Sequence, residues 1–402
     1  MARHHEGMTT QTQIRPFRIE IPQAELDDLR DRLARTRWAN ELPPEPASGP
    51  PAGPVPPGWE YGVPLDYVRR LVAYWLDGYD WRAWEARINA HPQFTTEIDG
   101  QNIHFLHVRS PEPEATPLIL THGWPNSVVE FLGLIGPLTD PGSHGGDPAD
   151  AFHVVIPSLP GFAFSGPTTE RGWNRYRTAA AWAELMRRLG YERYGAHGND
   201  AGAYVAPELG RQAPEHVIGV HVTQLFSFPS GDPAELQGLS QEEMGYLQFL
   251  QSFNDEMSAY ARLQETKPQN VAHALADSPA GQLAWSAQLL AATPDDHVLT
   301  NATIYWLTNT AASAARFYYE DRHAQHPTEP TTAPTGLASF GYDFKPLRRF
   351  AERDHRNIVS WNDYPRGSHW ATQDAPDLLV RDIRQFFRGL RASRIAAERS
   401  DG

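Results

Sequence analysis

Cysteine is absent from the 402-residue chain. That excludes a disulfide framework, a thiolate metal site and a cysteine nucleophile. It also suits a reducing compartment, and a cytoplasmic location is expected. Lysine is nearly missing, with Lys267 and Lys345 alone. Positive charge as a whole is outweighed, 35 Lys and Arg against 49 Asp and Glu, for a net charge of −14. A field of that sign repels phosphate, so neither nucleic acid nor anionic lipid is an expected partner. No run approaches the roughly 20 apolar residues of a membrane span. Met1 to Thr10 holds no apolar core of signal-peptide length, so a soluble protein with no membrane partner is expected. Neither H-E-x-x-H nor a P-loop occurs, and no metal or organic cofactor is expected. G-x-S-x-G is missing too, which removes the usual serine nucleophile of an esterase.

What is present is ordinary globular material, 40% hydrophobic and 21% charged, enough for a sizeable core. A helix is predicted from Pro22, at its first turn, through Leu33, and a second from Leu65 to Trp75. Between them Pro43 to Gly58 holds eight prolines and reads as an extended connection. From Phe94 the pattern changes. Phe94–Ile98 and Ile103–Val108 flank Asp99-Gly100, the signature of a tight hairpin. Short apolar runs then alternate with helical stretches: Leu118–Leu120, Val154–Ile156, Tyr194–Ala196 and Val217–Val222. Buried strands joined by helices imply an α/β protein with a mainly parallel sheet. The strand signal vanishes between about Phe226 and Glu320, returns at Leu337–Phe340 and Ile358–Trp361, and gives way to a closing helix over Arg381–Leu390.

The chemistry gathers after those strands. Gly198-Asn199-Asp200-Ala201-Gly202 is a G-x-D-x-G in a strand–turn–helix setting, which resembles a nucleophile elbow carrying aspartate instead of serine. A carboxylate there attacks carbon and forms an ester with the substrate. The plainer reading is an aspartate capping the next helix. Upstream, His122-Gly123-Trp124-Pro125 makes a turn that aims backbone N–H groups into a pocket. In the hydrolase layout the oxyanion hole pairs such a donor with the residue after the nucleophile, here Trp124 and Ala201. Downstream, His369 follows the last strand candidate and is the candidate general base. Asp343 follows the strand candidate before it and would orient that histidine, with Asp354 next in rank and Asp363 last. The order Asp200, Asp343, His369 is that of the α/β-hydrolase fold: nucleophile, acid, histidine.

These residues together resemble the epoxide hydrolases of the microsomal type, over about Ile14 to Leu390. The resemblance is carried by His122–Pro125, Pro157-Ser158-Leu159-Pro160-Gly161-Phe162, Gly198–Gly202, Tyr305-Trp306, Arg316-Phe317-Tyr318 and Arg366–His369. One departure is clear. The family elbow usually reads G-G-D-W-G, and here Asn199 and Ala201 stand in it. A backbone N–H survives the change to alanine, and the shape of the pocket is what changes.

The resemblance implies an α/β-hydrolase fold with a helical cap and an N-terminal extension, divided as 1–93 (extension), 94–225 (core, first part), 226–320 (cap) and 321–402 (core, second part). It implies a small-molecule epoxide as substrate, opened to a vicinal diol through an ester on Asp200. It implies two cap tyrosines on the epoxide oxygen, Tyr260 and Tyr318, with Tyr319 competing for the second role and Tyr305 read as core. A phenol keeps its proton at neutral pH, because its pKa is about 10, and so can donate to a developing alkoxide. A homodimer is also expected. Mammalian relatives carry a membrane anchor, and a cytoplasmic protein without one is expected here. Two rivals stand beside this reading: a haloalkane-type dehalogenase using the same aspartate, and a non-catalytic hydrolase-fold binding protein. The dehalogenase halide site generally uses a tryptophan where this chain has Ala201.

Overall fold

A computed structural model of the chain describes residues 13–43 and 56–400. Most of the proline-rich connection therefore lies outside the described residues. The extension contributes a short strand, β1 (Arg15–Phe17), and three helices, α1 (Gln23–Ala34), α2 (Leu65–Asp77) and α3 (Trp81–Asn89). Pro22 stands just before α1 as its cap and not inside its first turn. Then come β2 (Gln93–Ile98), β3 (Gln101–Val108), β4 (Thr116–Thr121), α4 (Leu132–Thr139), β5 (Phe152–Pro157), α5 (Arg175–Arg188), β6 (Tyr194–Gly198), α6 (Ala201–Gln212) and β7 (Val217–Val222).

Six helices follow before the next strand: α7 (Gln241–Glu256), α8 (Ala259–Thr266), α9 (Pro268–Asp277), α10 (Pro279–Leu290), α11 (Asp295–Thr308) and α12 (Ala311–Arg322). The chain closes with β8 (Thr335–Ser339), α13 (Arg348–Asp354), β9 (Ile358–Asp363), α14 (Ala371–Asp374) and α15 (Pro376–Ser400). The last helix is much longer than the stretch its apolar spacing predicts, and Phe340 falls just outside β8.

The nine strands among the described residues form one sheet in the order β1-β2-β3-β5-β4-β6-β7-β8-β9. From β5 to β9 all neighbours are parallel, whereas β1, β2 and β3 join antiparallel. The α/β-hydrolase architecture expected from the sequence is the one found. The β2–β3 hairpin turns on Asp99 (φ 51°) and Gly100 (φ 74°), both left-handed, as a two-residue turn between twisted strands requires. β1 went unanticipated. It is three residues long with a proline at its centre, tolerable because it lies on the edge against Gln93–Thr95.

Alternation along β4 divides the core. Ile119 faces one apolar layer with Trp182 and Leu185 of α5 and Leu209 of α6. Leu118 and Leu120 face the other, with Leu134 of α4 and Ile383 and Phe387 of α15. A third cluster joins the extension to the six-helix insert. In it Leu29, Leu33, Val68, Leu71 and Trp75 pack with Leu283, Leu290 and Leu299, and with Trp370 beside the candidate base. Strand β4 lies between β5 and β6, so the chain reverses direction across the sheet at β4. In such sheets the crevice beyond the carboxyl ends of the central strands is the place for a ligand.

Candidate active site

The turn after β6 is sharp and held by close backbone approach. A Cβ on Gly198 would sit 1.9 Å from the Gly202 carbonyl oxygen, and one on Gly202 would sit 1.9 Å from that of Thr121. Side chains are excluded at both ends, and the strain falls on Asp200, whose φ is 54° with ψ −119°. A residue other than glycine in that region costs about 1–3 kcal/mol and is typical of functional sites. The turn after β4 lies directly against it, since a Cβ on Gly123 would reach within 2.2 Å of the Asp200 Cβ.

Both oxygens of Asp200 are engaged. Oδ1 accepts the Trp124 backbone N–H at 2.9 Å. Oδ2 lies 3.0 Å from His369 Nε2. The other ring nitrogen, Nδ1, lies 3.0 and 3.1 Å from the two oxygens of Asp343. Asp354 pairs with Arg353 instead, and Asp363 with Lys345 and the Trp361 indole N–H. Ala201 follows the strained residue and opens α6, so its N–H is among the four that a helix start leaves without an intrahelical acceptor.

Burial alone would depress the proton affinity of His369, but the charge of Asp343 and hydrogen bonds to Asp200 and Asp343 outweigh it. They hold the imidazole well above its usual value. The surroundings thus favour the protonated ring between the two carboxyl groups.

Tyr260 on α8 and Tyr318 on α12 hang over the same turn. Tyr260 stacks on Trp124 with centroids 5.4 Å apart, Tyr318 meets it edge-on at 6.0 Å, and the two phenol rings are 6.4 Å apart. Burial first, and then the negative charge of Asp200, raise both phenols well above the ordinary tyrosine value. Tyr319 points elsewhere, 38% exposed and stacked on His323. Tyr305 is buried with its hydroxyl donating to the Asn126 carbonyl at 2.8 Å.

Sequence reasoning missed two polar residues here. Gln224, just past β7, accepts the Asp200 backbone N–H at 2.9 Å and donates to Asp343 Oδ2 at 2.7 Å. Glu130, fully buried in a 3-10 turn after His122–Pro125, accepts from the Asn199 side chain at 2.6 Å. Burial above all, with the Asp200 charge adding, pushes its carboxyl up to about 8, against the pull of the Asn199 hydrogen bond. A charged residue inside the apolar run Val128-Val129-Glu130-Phe131 was the signal available for it. Among the described residues no cluster of His, Asp and Glu is set to hold a metal ion. No described helix is long and apolar enough to cross a membrane.

Known proteins resemble this chain along nearly its whole length. Residues 14–131 match the model of the epoxide hydrolase N terminus, and residues 116–328 that of the alpha/beta hydrolase fold. A protein of Stigmatella aurantiaca named "Putative epoxide hydrolase" is 43% identical over 94% of this chain and 86% of its own. Epoxide hydrolase 1 of Sus scrofa is 31% identical over 93% and 88%. The solved epoxide hydrolase of Aspergillus niger superposes with a TM-score of 0.80 at 29% identity, covering 95% of this chain and 98% of that one. The juvenile hormone epoxide hydrolase of Bombyx mori shares the fold, with a TM-score of 0.84 at 24% identity.

Proposed function

The chain belongs to the epoxide hydrolases, enzymes that add water across an epoxide to give a vicinal diol, and from that premise we propose that this one works through a covalent ester on Asp200. The observation that supports it is an imidazole held between two carboxylates, with a backbone N–H on the far oxygen of the first.

In the first step Asp200 Oδ2 bonds to an epoxide carbon while the carbon–oxygen bond of the ring breaks. The leaving alkoxide takes a proton from Tyr260 or Tyr318. Oδ1 becomes the ester carbonyl, already on the Trp124 N–H. Ester formation removes the negative charge of Asp200, and with it part of what raises His369. The imidazolium can then lose its proton, which restores the phenol. In the second step neutral His369, oriented by Asp343, takes a proton from water, and the resulting hydroxide attacks Cγ of the ester. The oxyanion at Oδ1 is met by the N–H groups of Trp124 and Ala201, which act where charge develops. Collapse releases the diol, whose oxygen takes the proton from His369. The acid left on Asp200 passes its own proton to His369, and the resting imidazolium is restored.

The substrate under this reading is a small-molecule epoxide. The reading also keeps the division at residues 93, 225 and 320, a cytoplasmic location and a homodimer, which cell fractionation and light scattering would test. Intact-mass measurement with styrene oxide tests the chemistry. The His369→Gln variant is expected to gain the mass of one substrate, and Asp200→Asn to gain none. An adduct on Asp200→Asn, or none on His369→Gln, would refute the ester.

A further inference from the structure

Asn199 lies immediately before Asp200, 1% exposed, with both ends of its amide engaged. Its Nδ2 donates to Glu130 Oε1 at 2.6 Å, and its Oδ1 accepts the Thr223 hydroxyl at 2.6 Å. Each contact leads on to a group of the site. Glu130 Oε2 accepts the Gly123 N–H at a long 3.4 Å, one peptide before the Trp124 donor. Its backbone carbonyl accepts from Gln373 at 3.1 Å, a few residues past His369. On the other side Thr223 Oγ1 is also 3.0 Å from Gln224 Oε1, the atom that accepts the Asp200 N–H. The hydroxyl has one proton. Given to Asn199, it leaves that Gln224 oxygen to the Asp200 backbone.

We propose that Asn199 is a positioning residue for ester hydrolysis. Its side chain joins the turn that carries the Trp124 N–H, through Glu130, to Thr223, whose chain neighbour Gln224 holds both the Asp200 backbone and Asp343. This rests on the ester mechanism above. Glu130 makes no ion pair with an arginine or lysine among the described residues, and burial together with the Asp200 charge disfavours its ionised form. Buried polar chains of this kind fix geometry when every member is satisfied. The groups joined, the Trp124 N–H and the Asp343–His369 pair, serve the second step. Ring opening draws on the same Asp200 side chain, but it lowers the charge on Oδ1 where ester hydrolysis raises it, and so leans on these groups less.

The test is Asn199→Ala, followed by steady-state and rapid-quench kinetics with styrene oxide. Hydrolysis of the ester is expected to slow about tenfold, the scale of one or two neutral hydrogen bonds, with the ring-opening rate nearly unchanged. With hydrolysis limiting, kcat and KM then fall together while kcat/KM holds, and more ester accumulates in the mass spectrum. A merely structural role lowers the active fraction, so kcat drops at constant KM, and that pattern would overturn the proposal. So would kinetics identical to wild type. Glu130→Gln, which keeps a neutral acceptor for Asn199, is expected to hold kcat within about threefold on the same scale; the full tenfold loss in that variant would count against the chain of contacts. Absence of any adduct in His369→Gln would instead overturn the ester mechanism itself, so the two failures are separable.

Discussion

The sheet side of the site and the helical side above it solve opposite electrostatic problems. Below, Asp200, His369 and Asp343 stand in line with the imidazole between two carboxyl groups, braced by Gln224 and by the Trp124 N–H. Above, Tyr260 and Tyr318, the donors of the proposed mechanism, form an aromatic wall with Trp124. The lower half needs charge that can be lost and regained. The upper half needs protons that stay in place until an alkoxide forms. The Asp200 charge serves both, since it helps raise His369 from one side and the two phenols from the other. One charge thus contributes to the proton affinity of base and acid alike, and its disappearance on ester formation alters both together.

The sharpest way to break this comparison is Asp200→Asn. Turnover is expected to fall by about four to six orders of magnitude, as for the loss of a nucleophile acting within a unit. Diol release measures that. The same variant removes the charge felt by the upper half, so phenolate should form at lower pH in an ultraviolet titration; an unmoved titration would uncouple the halves. Next come Tyr260→Phe and Tyr318→Phe. Each is expected to slow ring opening by about 10²–10³, the cost of one donor to a developing oxyanion, and to leave ester hydrolysis alone. Equal slowing of both steps would erase the division of labour.

A third test addresses the tie between the halves. Arg175 at the start of α5 holds Asp321 of α12 at 2.8 and 3.0 Å, with side chains 18% and 14% exposed. Asp321→Asn is expected to cost about 2–3 kcal/mol of stability by urea unfolding, somewhat below a fully buried pair because some solvent reaches it. The smallest expected effect is a flat line. Both phenols have folded values raised above the usual figure of about 10, so their protons are retained on the alkaline side. In the Glu130→Gln variant, which lacks the carboxyl raised to about 8, the ring-opening rate constant should therefore change by less than about twofold between pH 8 and 10.

The sheet side was far more legible in the sequence than the helical side. Its strands are continuous apolar runs because helices cover both faces. Its reactive turns are contiguous motifs because sharp backbone approach demands glycine at fixed offsets. Asp200, Trp124, Ala201 and His369 could be named from such local reasoning. Asp343 could be ranked above Asp354 and Asp363 but not isolated, since each lies close to a strand end and only the path of the loop after β8 brings one of them to the imidazole. Tyr260 and Tyr318 sit in unremarkable helical stretches, and resemblance to a family, not periodicity, pointed to them. Gln224 and Glu130 left still less trace. A single polar residue gains its meaning from neighbours 24 or 69 positions away, as with Asn199, and no local pattern encodes that. Strand β1 was invisible for a related reason: three residues around a proline have little propensity of their own and pair only because a finished sheet offers them an edge.

The cluster in which Leu33, Leu71 and Trp75 pack against Leu283, Leu299 and Trp370 has a practical consequence for anyone remaking this protein. Swapping in a foreign α7–α12 to admit other molecules would leave α1 and α2 facing a surface they were not shaped for. Chimeras should therefore inherit both pieces from one parent. Crossovers that split them are expected to be sparse among surviving recombinants, even though more than two hundred residues separate the partners along the chain.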